Sequence, residues 1–424
     1  MRRHSLQVVF LLLISGLALS AQSVDWPMYH MNPQHTGFNR AETTVNRQNV
    51  IFLQKKWEGI LRGIVDFSSP AIVGNFAYLG STDGNLYVFN STGCGGAQFC
   101  TAVWKGHTGG AIYSSPAVVN GVVYIGSNNH HLFAFDAAGC GSKTCQPLWA
   151  GSLGGGILQS SPVVAGGLVF VGGYDGKLYA FNAAGCGGTS CSPVWTGATG
   201  DHITSSPAIS KGVVYVGSND SNLYAFKAAG CGSPTCSPLW TGPVGGPIFE
   251  ASPTISNGLV YIGAFDSKLH AFDANGCGAP TCSELWSGVL GDPFTDTTAS
   301  VARGEVYVGG GDGQVYAFPA AGCGNVTCNP DWVGLGDNFA GTLLGGPIVA
   351  NGVVYVGKNA EEVLAYGATG CGNLGCAPLW STLTEDPIVS SSPAMVNGTL
   401  YIGTNNKLDG TFPGRLSVYT LSNQ

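Results

Sequence analysis

Three observations predict an all-β chain folded as an eight-bladed β-propeller of four-stranded antiparallel blades. The first is composition: 66 glycines in 424 residues, 44% hydrophobic and only 10% charged, suit many short strands joined by tight turns. The second is a repeat. Prolines open successive copies at Pro70, Pro116, Pro162, Pro207, Pro253, Pro347 and Pro393, spaced 45 or 46 residues apart except for one gap of 94. That gap holds a degenerate copy in which Ala299 stands where proline is expected, which makes eight copies. The third is the far end of the unit, marked by Trp57, Trp104, Trp149, Trp195, Trp240, Trp286, Trp332 and Trp380. A period of this size with four short strands per copy is the signature of a propeller, one blade per repeat.

The copy from Ser160 to Trp195 shows each element in order. Ser-Pro introduces an apolar inner strand, and a second apolar run ends in Phe170-Val171-Gly172. Asp175-Gly176 is a tight hairpin turn, because glycine supplies positive φ there. Leu178-Tyr179-Ala180-Phe181 alternates as a half-buried third strand, and Trp195 opens the fourth. Between the third and fourth strands seven of the eight copies carry two cysteines. The pairs are Cys94/Cys100, Cys140/Cys145, Cys186/Cys191, Cys231/Cys236, Cys277/Cys282, Cys323/Cys328 and Cys371/Cys376. Eight tryptophan strands but seven cysteine hairpins imply that one blade is made from both chain ends. Trp57, within Ile51 to Gly59, is expected to supply the outermost strand to a blade whose inner strands lie in Ser392 to Thr420.

The chain begins with the parts of a secretory leader: Arg2 and Arg3, an apolar core from Val8 to Leu19, then small residues at Ser20 and Ala21. The expected division is residues 1–21 as signal peptide, 22–45 as a lead-in, and 46–424 as one propeller domain. The apolar core is too short for a membrane span, and no other stretch is long and apolar enough for one. Without Arg2 and Arg3, the 17 basic residues become 15 against 24 acidic. A mildly acidic chain with no Lys/Arg cluster lacks the footprint of a nucleic-acid binder. The expected location is secreted or periplasmic, and the expected state a monomer.

An even cysteine count behind a secretory leader reads as disulfides. Zinc is the rival, but it needs four ligands around one ion, and here each pair stands alone at the tip of its own hairpin. Each bridge closes a short loop and is credited with about 2 kcal/mol in the chain-entropy treatment. Burying about 200 Å² of each tryptophan contributes up to about 5 kcal/mol.

Ala134 to Gly139, reading Ala-Phe-Asp-Ala-Ala-Gly and followed by Trp149, resembles the docking motif of propellers with pyrroloquinoline-quinone-type repeats. The resemblance covers about Asn46 to Thr420, and Asp25-Trp26-Pro27 with His35-Thr36-Gly37 is similar to lead-ins of secreted members. It implies eight blades with each outer-strand tryptophan packed between neighbours. The inserted Cys-Gly loop departs from the motif where Thr-Gly would turn. For function the resemblance divides. Quinoprotein dehydrogenases of this family hold the quinone in the central funnel, between a tryptophan floor and a disulfide of adjacent cysteines, with calcium and an Asp base. No adjacent cysteines and no Cys-x-x-Cys-His haem site occur here, and all eight ring tryptophans are assigned to docking. The other branch keeps the repeats without the cofactor and serves as scaffold or binding protein, as in the outer-membrane barrel-assembly lipoprotein; this chain lacks that protein's lipid-anchor cysteine.

Functional residues are sought where the copies differ. The residue three before the proline enters the inner strand near the funnel mouth; around the ring it reads Phe67, Tyr113, Gln159, Thr204, Glu250, Asp296, Leu344 and Ser390. Ligand contacts are expected from Phe67, Tyr113, Gln159, His202, Glu250 and Asp296, a mixed mouth suited to a protein, a glycan or another polar small molecule. Glu250, Asp292 and Asp296 could hold calcium through converging oxygens, or could be solvated acids lining a wet mouth. The same loops carry His107, Asp201, Asp337, Glu385 and Asp386. Met28, His30, Met31 and His35 have soft-metal character and could take copper, against a plain reading as a flexible lead-in. His130-His131 reads as an exposed turn, and Asn90, Asn219, Asn325 and Asn397 match the glycosylation triplet. No catalytic triad, nucleophile elbow or phosphate loop can be assembled.

The expectation is therefore a secreted, non-catalytic propeller that binds or scaffolds through its funnel face, with no cofactor. The alternative is a divergent quinone-dependent dehydrogenase, oxidising an alcohol or sugar with quinone and calcium in the funnel. A structural or adhesive surface protein, its rim protected by disulfides, is a third possibility.

Overall fold

The computed structural model describes residues 25–292, 297–336, 345–359, 361–384, 390–405 and 413–422. The leader, Asp296, Leu344, Asp337, Glu385 and Asp386 lie outside the described residues. Blade 1 consists of strands Ala71–Val73, Phe76–Ser81, Asn85–Asn90 and Trp104–His107, paired antiparallel in chain order. Blades 2 to 7 repeat this, with inner strands at Ala117–Val119, Val163–Ala165, Ala208–Ser210, Thr254–Ser256, Ser300–Ala302 and Ile348–Ala350. Each inner strand lies beside the next, and that of blade 8, Ala394–Val396, returns beside blade 1. The ring closes as an eight-bladed propeller. Its clasp is the expected one: Leu53–Ile60 pairs antiparallel with Gly414–Leu421, so the N-terminal strand completes the C-terminal blade.

The core lies between blades rather than at one centre. In one such layer Tyr215, Leu223, Ala225 and Trp240 of blade 4 pack against Ile255, Val260, Ile262 and Phe272 of blade 5. The tryptophan that ends each copy is buried against the next blade. Gly139 of blade 2 has φ +86, and a Cβ there would lie 2.8 Å from the Trp104 ring of blade 1. Only glycine meets both demands, so Ala-Ala-Gly is the socket for the preceding tryptophan. Second-strand tyrosines add polar ties, since a buried hydroxyl needs a partner. Tyr78 donates to the Ala137 carbonyl (2.9 Å), Tyr261 to that of Ala320 (2.7 Å), and Tyr401 of blade 8 to that of Ser91 in blade 1 (2.9 Å).

All seven disulfides form within the expected pairs: Cys94–Cys100, Cys140–Cys145, Cys186–Cys191, Cys231–Cys236, Cys277–Cys282, Cys323–Cys328 and Cys371–Cys376. Their placement corrects the expectation that each pair stands alone at the tip of its own hairpin. Only the first cysteine of each pair is exposed. The second, at Cys100, Cys145, Cys191, Cys236, Cys282, Cys328 and Cys376, is buried against the preceding blade. Six of these seven continue that blade as a short parallel edge strand. Cys100 lies opposite Gly59, Cys145 opposite Gly106 and Cys191 opposite Gly151. Cys236 lies opposite Gly197, Cys328 opposite Gly288 and Cys376 opposite Gly334. Cys282 is the exception. There the pairing shrinks to the single bridge Thr241↔Thr281, and the Cys282 amide donates to the Thr241 carbonyl (2.8 Å).

The physical reason is hydrogen bonding at the blade's rim. The amide after seven of the eight tryptophans donates into the neighbouring loop, as Lys105 to Lys143 (3.0 Å) and Ala150 to Thr189 (2.9 Å). A free outer edge is an aggregation hazard, and the closed loop from the next blade covers it. Sequence patterning misses this fifth strand because it is two residues long and its partner lies about one repeat away.

The lead-in also differs from the expectation of a flexible segment. Residues 26–39 run round the channel along the inner strands. Trp26 exchanges two backbone hydrogen bonds with Ile72 of blade 1 (2.7 and 2.8 Å). The carbonyls of Pro27, Pro33, Gln34, Thr36 and Gly37 then accept from Val118, Ile209, Ile255, Val301 and Val349, at 2.6 to 2.9 Å. Phe38–Asn39 pairs parallel with Val349 and Ala350, and the Asn39 amide donates to the Met395 carbonyl in blade 8 (2.7 Å). Trp26, Met28, His30, His35 and Asn39 are all buried.

Candidate funnel-mouth site

The channel wall is built from the Ser-Ser-Pro that opens five of the copies and its variants Ala251-Ser252-Pro253, Thr297-Thr298-Ala299 and Gly345-Gly346-Pro347. The first hydroxyl ties the inner strand to the second within its blade: Ser68 Oγ accepts from Gly80 N–H (2.9 Å) and Ser160 Oγ from Gly172 N–H (2.8 Å). The second links blades into a circle. The N–H of Ser69, Ser115, Ser161, Ser206 and Ser252 donates to the hydroxyl of Ser115, Ser161, Ser206, Ser252 and Thr298 respectively, at 2.8 to 3.0 Å. Gly346 donates to Ser392, and Ser392 to Ser69, completing the return. The circle has one gap, at Gly346 of blade 7, which offers no hydroxyl. His30 occupies that space: a Cβ on Gly346 would collide with its Nε2, and the same nitrogen lies 3.3 Å from Ser392 Oγ.

Above this circle the mouth residues are carried on the turns entering the inner strands. Phe67 has φ +64 and Ser390 φ +53, turn conformations that aim their side chains differently from their counterparts. The structure brings Phe67, Gln159 and Glu250 together with Ser390 and Tyr29 around a cavity of about 20 Å³. Gln159 Nε2 donates to Glu250 Oε1 (3.3 Å), spanning blade 3 to blade 5. Tyr113 does not line the cavity; its ring packs edge-on against Phe67 with centroids 6.3 Å apart. His202 stands off, stacked on Tyr174 at 3.8 Å and 3.6 Å from Asp201. Thr204 donates its hydroxyl to the Phe249 carbonyl. Asp292 sits near Tyr316, whose hydroxyl is held by Asp312. Among the described residues no group of three His, Cys, Asp or Glu side chains converges as a metal site.

Two residues of the mouth escape a comparison of the copies. Tyr29, from the lead-in, donates to Thr298 Oγ1 (2.9 Å), and burial raises its pKa. Asp66 precedes Phe67; burial raises its carboxyl to about 6. A larger groove of about 900 Å³ lies between blades 4 and 5, beside Lys211, Asn257 and Trp240. It has a smaller counterpart between blades 5 and 6 at Asn257, Leu285 and Trp286, so it reflects blade packing rather than a unique site.

A family model described as outer membrane protein assembly factor BamB matches residues 96–189, 141–231 and 187–322, together more than half of the chain. The chain belongs to this family. No curated protein sequence matches it. Among solved structures it is similar to BamB from Moraxella catarrhalis, with 18% identity over 88% of this chain and 98% of that one, at a TM-score of 0.64. It is also similar to the quinohemoprotein alcohol dehydrogenase from Comamonas testosteroni, with 14% identity over 95% of this chain and 81% of that one, at a TM-score of 0.71. A europium-containing methanol dehydrogenase covers 94% of this chain and 98% of its own at 13% identity, with a TM-score of 0.68. At these identities the structural likenesses show the fold, which assembly factors and dehydrogenases share. Among the described residues no helix is long and apolar enough to cross a membrane.

Proposed function

We propose that this BamB-family propeller is an exported, non-catalytic binding protein that takes a protein or another polar ligand on its funnel face, through Phe67, Tyr113, Gln159, His202 and Glu250, with Asp296 as a further contact. The observation that carries the reading is the filling of the channel beneath the mouth by Tyr29. The cavity it leaves, about 20 Å³, has room for a water molecule. Pockets for small-molecule ligands and cofactors run to about 300–1,000 Å³. A cavity of that size among the described channel residues supports a reading without a quinone, and no step is derived through one. A ligand at this face meets the rim of the funnel, an arrangement suited to a macromolecular partner. Seven disulfides and the leader pattern support an oxidising compartment. The description of the matching family model as an outer membrane protein assembly factor supports a protein partner over a free small molecule.

The competing reading is a dehydrogenase with quinone in the funnel and calcium at Glu250, Asp292 and Asp296. Titrating the purified protein with pyrroloquinoline quinone and calcium, while following tryptophan fluorescence and dye reduction with an alcohol or sugar, separates the two. No saturable binding at micromolar quinone is expected. Saturable binding that disappears in Glu250→Gln, accompanied by dye reduction, would overturn the proposal.

A further inference from the structure

Six blades present an inner-strand N–H to the channel, and such an edge is a template for an added strand. In this protein the template is in use. Seven of the eight blades hold residues 26–39, six of them through backbone hydrogen bonds from the inner-strand amide and blade 8 through the Asn39 side chain. The segment passes blade 3 on a tight turn, Met31 N–H to Met28 carbonyl at 3.0 Å, and there Met28 packs against Ala117 and Val163. Two side chains key its register. Trp26 is buried at blade 1, and His30 fills the hole left by Gly346. The segment ends at exposed Arg40 and Ala41, which join it to the clasp strand.

We propose that the ring of inner-strand edges is a binding site for a peptide with this aromatic and imidazole spacing, filled by the chain's own residues 26–39, which leave it on acidification. The proposal concerns the floor of the channel and does not rest on the reading of the mouth.

The recognition is mostly backbone to backbone, so a peptide supplied in trans can reproduce it. The bound form is also one that a free peptide would not favour, with positive φ at His30, Met31 and His35, none of them glycine. Acid sensitivity follows from the surroundings of the histidines. The titratable groups facing them are Tyr29, which contacts both rings, and Glu250, which acts on Tyr29 from blade 5. The remaining neighbours, Ser392, Thr298, Thr254 and the Pro253 carbonyl, are neutral. Burial holds His30 well below its usual pKa, aided by the nearby His35, and burial holds His35 at about 4. A depressed histidine pKa gives stability that is complete above about 6.5 and is lost as the pH falls toward and through the folded value.

The test keeps the full chain. A site-specific protease sequence is placed between Arg40 and Ala41, the folded protein is cut, and a fluorescent peptide of residues 25–40 reports on the site by anisotropy. The cut protein is expected to retain its segment through gel filtration near neutral pH and to lose at least nine-tenths of it at about pH 4, the value of His35. The peptide should rebind on neutralisation, and near-ultraviolet circular dichroism of a Trp26→Phe variant, which leaves only the docked tryptophans, should be unchanged throughout. His30→Asn with His35→Asn should move release to lower pH. Retention at both pH values, loss at both without rebinding, or loss only together with the tryptophan signal would each overturn the proposal.

Discussion

His270 and Glu284 show how one blade can depart from the repeat without leaving it. In blades 1, 3, 4 and 6 the third-strand tyrosine donates to an aspartate four residues earlier, as Tyr87 does to Asp83 and Tyr179 to Asp175, both at 2.6 Å. In blade 5 that tyrosine is His270 and the proline two before the tryptophan is Glu284, a paired change. His270 Nε2 meets Asp266 Oδ1 at 3.1 Å, and its Nδ1 bonds to Glu284. Burial works against charging His270, but hydrogen bonds and charges from Asp266 and Glu284 outweigh it and raise the pKa. Lys268 and Ser287 help keep Glu284 ionised. A raised folded pKa means that this stabilisation is complete below about 6.5 and is lost as the pH rises through the folded value. His270→Tyr alone should therefore destabilise at about pH 6 by leaving Glu284 without its partner. Adding Glu284→Pro should recover about 1 kcal/mol or more of coupling in a double-mutant cycle. Denaturant unfolding across pH 5 to 9, roughly the range that brackets a histidine, would show the gap between wild type and His270→Tyr narrowing toward the alkaline end. A gap independent of pH would contradict the ion-pair account.

At the scale of elements, what was legible depended on how far a partner lay in the chain. Strands, hairpins and the tryptophan docking could be read because their signals sit within one copy. The two serines of Ser-Ser-Pro could not, because each second hydroxyl serves an amide in the preceding copy. Residues 26–39 look flexible in the sequence for a related reason: they occur once, and they are held by backbone bonds that leave no side-chain pattern. Spacing places each cysteine pair at the tip of its own hairpin, whereas the second cysteines, from Cys100 round to Cys376, are buried against the preceding blade. Reduction should accordingly do more than release loop entropy. In hydrogen exchange, the amides of Lys105, Ala150, Thr196, Ser287 and Val333, which donate into those loops, should lose protection in reductant while the second and third strands keep theirs. Equal loss in all strands would mean that the bridges hold the whole blade rather than its edge.

For the whole molecule, the ring was predictable because counting fixed it: eight tryptophans, seven cysteine loops and one strand from the N-terminus. The mouth was only partly so. Choosing positions where copies differ led to Phe67, Gln159 and Glu250, which share one cavity, but it could not foresee that Tyr29 rises between them from outside the repeats. Nor could it foresee that His202 pairs with Tyr174 away from that cavity. The described residues form a belted channel, with the outer edge of seven blades covered by the cysteine loop of the next. The most direct measurement is photo-crosslinking in the native host, with a photoreactive phenylalanine analogue at Phe67 or Tyr113 and, as rim controls, at the exposed Val326 or Leu374. A discrete adduct from both mouth positions and none from the rim is the predicted result. Adducts from the rim alone, or none at either mouth position, would contradict the account.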